Sequence, residues 1–120
     1  PLREILDRGI PLLLSSDAPV CDPSPISGIY SAVTRKRMDG TPEQGWYPDQ
    51  RLTVEEAVRG YTVTPARQSG FQDTLGRIAP GGYADMIVLD RDIHTIPPEE
   101  IRDVRVDMTV FDGQIVHERE

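Results

Sequence analysis

The sequence predicts an α/β fold with a β-rich C-terminal part, and three observations carry that expectation. An apolar run, Ile10-Pro11-Leu12-Leu13-Leu14, stops at Ser15-Ser16-Asp17-Ala18-Pro19. Five such residues between Gly9 and a serine pair are too few for a helix and suit a strand buried on both faces, as parallel sheets require. Apolar residues then recur at helical spacing to about residue 70. Finally, Val104, Val106, Met108 and Val110 alternate with Arg105, Asp107 and Thr109 ahead of Asp112-Gly113, a period of two that marks a half-buried strand entering a hairpin turn.

Leu2, Ile5 and Leu6 fall at i, i+3 and i+4 before Gly9, which predicts a helix closed by a glycine cap. The strand at 10–14 follows. Asp17 sits just past its C-terminal end, where parallel α/β sheets place their chemistry because the loops at that edge surround a cavity, and Pro19 prevents the strand from continuing. As a bare pattern, an aspartate there also reads as a helix N-cap or a turn residue. After a proline-punctuated loop at 22–25, Ile26, Ile29, Tyr30 and Val33 predict a helix running to about Met38.

Residues 39–51 turn polar, with Gly40, Pro42, Gly45 and Pro48. A loop of that length is a candidate substrate-side loop, and Trp46 and Tyr47 are expected to pin it to the body. Thr53-Val54-Glu55-Glu56 spells a capping box, with Leu52 and Ala57 as its apolar staple. The helix it opens carries a stripe of Val54, Ala57, Val58 and Tyr61. Thr64-Pro65 restarts a short helix with proline at its first position, closed near Gly70. Pro80-Gly81 fits the centre of a type II turn, and Met86–Leu89 reads as a buried strand between turn carboxylates Asp85 and Asp90. Pro97-Pro98-Glu99-Glu100-Ile101 suggests one helical turn, and 114–118 supplies the strand returning from Asp112-Gly113. Two segments follow from this order, 1–70 and 71–120.

The chain has 120 residues, one domain by size. Its formal charge is −7, from 13 basic and 20 acidic residues, which argues against nucleic acid or an anionic membrane as a partner, since both need concentrated positive charge. Arg35-Lys36-Arg37 and Arg102 with Arg105 are short basic spots flanked by acids and read as solvated surface. Cys21 is the only cysteine, so no internal disulfide can form, and a buried, inert thiol is expected. No apolar run approaches the roughly 20 residues of a membrane span and no leader is visible, so a cytoplasmic location is expected. The opening Pro1-Leu2-Arg3 lacks an initiator methionine, which agrees with a fragment or a processed chain.

There is no Gly-x-Ser-x-Gly, no Walker-type loop and no Gly-x-Gly-x-x-Gly; Gly81-Gly82 lacks the helix a phosphate cradle requires. His94 precedes the proline pair and His117 lies on the closing hairpin, neither at a metal-binding spacing from another ligand, so both are read as structural or surface residues.

Gly9-Ile10-Pro11, Ser15-Ser16-Asp17-Ala18-Pro19-Val20 and Gly28-Ile29-Tyr30-Ser31-Ala32-Val33-Thr34-Arg35 resemble the last barrel strand and following helix of the amidohydrolase superfamily, its YtcJ-like metal-dependent branch in particular. The resemblance runs on through Leu52-Thr53-Val54-Glu55-Glu56-Ala57, Tyr61-Thr62, Leu75-Gly76-Arg77-Ile78-Ala79-Pro80-Gly81, Ala84-Asp85-Met86-Ile87-Val88-Leu89-Asp90 and Val110-Phe111-Asp112-Gly113. It covers nearly the whole chain but only the C-terminal part of such an enzyme. A complete barrel needs about 250 residues.

The resemblance implies a fold made of the last strand-helix unit of a TIM-type barrel (1–70) and strands of the small β-sandwich domain of amidohydrolases (71–120). It implies hydrolysis of carbon–nitrogen, amide-type, non-peptide bonds in a small-molecule substrate, with a divalent metal, zinc first, in the complete enzyme. Asp17 then has the catalytic role, ligating metal and relaying the proton from water to the leaving group. The family's other ligands, a His-x-His pair, a carboxylated lysine and two further histidines, belong to earlier strands and have no counterpart here. The isolated chain is therefore expected to hold no metal tightly and to be inactive. The strand at 10–14, without its barrel neighbours, is expected to self-associate, exchange or lose order. The alternative is a self-standing, non-catalytic β-rich interaction module in which Asp17 is only a turn residue.

Overall fold

In the computed structural model, which describes residues 1–120, helix α1 (Leu2–Asp7) ends at Arg8. Gly9 takes φ +72°. Its amide donates to the Leu6 carbonyl at 2.8 Å, and the Ile10 amide donates to the Ile5 carbonyl at 3.2 Å. That pair of bonds is a Schellman closure, which needs a left-handed residue and so favours glycine.

The expected strand at 10–14 does not form: residues 10–16 belong to no helix, turn or ladder. A strand is defined by a neighbour that satisfies its amides and carbonyls, and across residues 11–16 the Leu14 amide alone bonds to another backbone group, the Gly60 carbonyl, at 3.0 Å. The alternation survives without the sheet. Leu12 and Leu14 pack against the core, while Ile10 and Leu13 remain about half exposed.

Helix α2 (Pro25–Thr34) supplies Ile26, Ile29, Tyr30, Ala32 and Val33, half of the buried apolar cluster. It stops four residues short of Met38. Arg35 adopts a left-handed conformation, φ +60°, and its carbonyl accepts from the Trp46 amide at 2.7 Å, so the chain leaves the helix there. Trp46 and Tyr47 do not anchor the following loop. They are 62% and 69% exposed and lean on each other, ring centroids 5.8 Å apart. The loop is held by polar bonds: Arg51 donates from Nε to the Thr34 carbonyl (3.3 Å) and from Nη2 to the Gln44 carbonyl (2.8 Å). Leu52, 3% exposed, is the apolar pin.

The capping box forms as read. Thr53 Oγ1 accepts from the Glu56 amide at 3.2 Å and Glu56 Oε2 accepts from the Thr53 amide at 2.8 Å, opening α3 (Val54–Tyr61). Arg3 of α1 forks onto the same Glu56 carboxylate. Helix α4 (Val63–Gln68) begins two residues before Pro65, which the first turn tolerates because its amides have no intrahelical acceptor. It closes on Gly70 with a second Schellman pair, Gly70 to Arg67 and Phe71 to Ala66.

Gly81 takes φ +86° and the Gly82 amide donates to the Ala79 carbonyl at 3.1 Å, the expected type II turn. Strands β1 (Met86–Leu89), β2 (Val106–Phe111) and β3 (Gln114–Glu118) form one antiparallel sheet in the order β1-β2-β3. β1 is not buried. It is an edge strand with Ile87 and Val88 nearly half exposed, because only β2 pairs with it. The hairpin turns on Asp112 (φ +48°) and Gly113 (φ +75°), a type I′ geometry, and Ile115 pairs back with Val110. Val106, Met108 and Val110 are half-buried, but so are Asp107 and Thr109; a register shift between Thr109 and Val110 blurs the alternation. Between β1 and β2, Ile93, the 3-10 turn Pro98–Asp103 with Ile101, and Val104 pack on α2 in the same core. No helix is long and apolar enough to cross a membrane.

Candidate catalytic loop around Asp17

Asp17 lies where the apolar segment gives way to the loop before α2. Its backbone is left-handed, φ +51°, a region aspartate tolerates better than most residues. Two bonds fix the turn: the Asp17 amide donates to Ser15 Oγ at 3.1 Å, and the Asp17 carbonyl accepts from the Val20 amide at 2.9 Å. Both use main-chain atoms of Asp17. The residue is exposed, and its carboxylate oxygens take part in none of the chain's side-chain hydrogen bonds or ion pairs, so they are free to accept a proton or a cation.

The segment rests on the last turn of α3. Gly60 is buried there, and a Cβ added to it would lie 2.9 Å from Leu14 Cγ and 3.4 Å from the Leu12 carbonyl oxygen. One residue on, the Tyr61 ring covers Gly28 of α2, where a Cβ would be 1.8 Å from the phenolic oxygen. Burial pushes the Tyr61 hydroxyl up from its ordinary pKa, and Cys21 adds to the shift. The sequence trace of these close approaches is a glycine inside each of two helical patterns, since each costs a helix about 1 kcal/mol relative to alanine.

Beside the segment opens a cavity of about 950 Å³. Leu14, Ser15 and Ser16 line it together with Ile29, Tyr61, Leu89 and His94; Asp17 lies outside that lining. His94 is exposed and its amide donates to Asp92 Oδ1 at 2.9 Å. His117 is exposed on β3, opposite Thr109. No three His, Cys, Asp or Glu side chains converge on a common point. Asp85 and Asp90 flank β1 and, instead of closing local turns, accept from the Asp112 amide (2.8 Å) and the Arg105 amide (3.0 Å) at the two ends of β2; the latter bond foremost holds the Asp90 carboxyl below its usual range.

Two expectations fail at the site. Cys21 is exposed, not buried, because residues 17–23 form a surface turn with little above it. The loop at 39–51 is not beside Asp17. It leaves the C-terminal end of α2 while Asp17 precedes the N-terminal end, and ten residues of helix separate the two by about 15 Å.

A family model described as "Amidohydrolase family" matches residues 1–117. The chain is similar to an N-substituted formamide deformylase of Arthrobacter pascens, 39% identical over 119 residues that make up 99% of this chain and 21% of that protein. It is 33% identical over 117 residues to YtcJ of Bacillus subtilis (strain 168), named as an amidohydrolase, covering 98% of this chain and 22% of that one. Among solved structures, an amidohydrolase from Thermotoga maritima MSB8 superposes with a TM-score of 0.69 at 23% identity, covering 98% of this chain and 26% of its own. The chain thus spans about a fifth of the curated relatives it matches.

Proposed function

Because the chain belongs to the Amidohydrolase family, we propose that it is the C-terminal part of a metal-dependent hydrolase of carbon–nitrogen, amide-type, non-peptide bonds, with Asp17 as its catalytic ligand. In this reading residues 1–70 close the hydrolase barrel and 71–120 belong to the small β-sandwich. The observation that carries it is the Asp17 carboxylate, presented free at the C-terminal end of an apolar segment that packs against the following helices. The likeness to a protein named N-substituted formamide deformylase, across 99% of this chain, supports a small-molecule amide as substrate.

One carboxylate donor suits any of several divalent cations; zinc stands first only through the resemblance to the metal-dependent amidohydrolases, and its other ligands would come from elsewhere in the polypeptide. Bound there, the metal supplies Lewis acidity. Asp17 takes up the proton released when water adds to the carbonyl and returns it to the departing nitrogen. Ser15 keeps Asp17 in register through the bond to its amide. The isolated chain, with one ligand, is not expected to turn over.

The test uses the full-length polypeptide that carries this chain. Hydrolysis of N-substituted formamides and related small amides should disappear on dialysis against a chelator and return with zinc or another divalent ion. Hydrolysis that persists after the metal is shown to be gone would contradict the reading.

A further inference from the structure

We infer that Gly60 is a positioning residue for the reaction: as the bare floor of α3 beneath Leu14, it sets the height at which the segment delivers Asp17. This rests on the role assigned to Asp17 above. The Leu14 amide to Gly60 carbonyl bond, 3.0 Å, is the only backbone–backbone bond that residues 11–16 make. At the same point the space for a side chain is already taken, with Leu14 Cγ and Cδ1 at 2.9 and 3.0 Å from where a Cβ would stand. Gly60 is helical and has no positive φ, so conformation does not demand glycine here. Apart from proline, glycine is the poorest helix former, and its place in the last turn of α3 is accounted for by contact alone.

Asp17 follows Leu14 by three residues, held by the Ser15 hydroxyl on its amide and the Val20 amide on its carbonyl. A methyl group at Gly60 would lift Leu14 by several tenths of an ångström or more and carry that displacement to the carboxylate. Misplacement on the order of 1 Å can cost about a hundredfold in rate. Leu14→Ala removes the atoms that meet the new Cβ and leaves the Leu12 carbonyl at 3.4 Å, an ordinary contact. The pair therefore forms a rescue cycle.

In the full-length enzyme, Gly60→Ala, Leu14→Ala and the double variant are compared by kcat, KM and hydrogen exchange of the Leu14 amide. Gly60→Ala should speed exchange at Leu14 and lower kcat by about tenfold or more with KM changed less than about threefold; the double variant should return both readouts to those of Leu14→Ala alone. Unchanged exchange at Leu14 overturns the clamp, whatever Asp17 does. Faster exchange with unchanged kcat overturns the positioning role, and Asp17→Asn run alongside tells whether the assignment of Asp17 has failed with it. Should Gly60→Ala not fold, a double variant that folds but stays slower than Leu14→Ala overturns the inference, and one that matches it supports it.

Discussion

Replacing Glu56 separates two jobs done by one carboxylate. Oε2 accepts from the Thr53 amide, and both oxygens bind Arg3, Oε1 at 2.8 Å from Nη1, so α1 is tied to the start of α3. The Arg3 guanidinium foremost, helped by Thr53, holds the Glu56 carboxyl at about 2, against an ordinary 4.5. At face value that difference corresponds to about 3 kcal/mol. More than a quarter of each side chain faces water, and screening reduces the expected contribution to about 1–2 kcal/mol. Glu56→Gln keeps an acceptor for the Thr53 amide and loses the ion pair, so it should cost that amount at pH 7. Glu56→Ala loses the cap as well and should cost about 1 kcal/mol more. Because the folded pKa is depressed, the contribution is complete above about 4.5 and is lost as pH falls toward 2. Urea unfolding from pH 7 down to 2.5 should show the gap between wild type and Glu56→Gln closing below pH 4.5. A gap that stays constant with pH, or none at pH 7, would refute the reasoning.

Asp112 turns the hairpin at φ +48°, so Asp112→Val should cost about 1–2 kcal/mol while Asp112→Gly stays within about 0.5, read from urea midpoints. Ile101 is fully buried against α2, and Ile101→Ala should lower stability by about 2–5 kcal/mol in the same assay; less than about 1 would mean that the core is not where it is drawn. Cys21 is exposed, so a thiol reagent should titrate one group per chain without denaturant, at a rate within about tenfold of the unfolded chain. Protection beyond that would restore the buried thiol.

Signals that are local in sequence were legible. The glycine caps, the capping box at Thr53, the type II turn at Pro80-Gly81 and the hairpin at Asp112-Gly113 depend on two to four neighbouring residues, and each forms where it was read. What failed depended on partners distant in sequence. The run at 10–14 has the composition of a buried strand, but a ladder needs a neighbour, and the one acceptor it finds is Gly60. Met86–Leu89 forms its strand yet stays exposed, since burial depends on a second layer that composition cannot supply. Trp46 and Tyr47 read as anchors because large rings usually seek apolar cover, whereas arginine bonds to carbonyls hold that loop. At the candidate site, Asp17 was visible from its flanks. Gly60 left only a local trace, a glycine inside a helical pattern; its role comes from Leu14, forty-six residues away.

The most direct test of the role given to Asp17 is Asp17→Asn in the full-length enzyme, with turnover and melting temperature measured on the same preparation. Asparagine keeps the size and tolerates the left-handed turn but cannot take up the proton. Turnover should fall by about a hundredfold or more while the melting temperature moves by no more than a few degrees. If Asp17 only shapes the turn, asparagine is among its best replacements, and activity within a few-fold of wild type, or a loss matched by unfolding, would contradict the account.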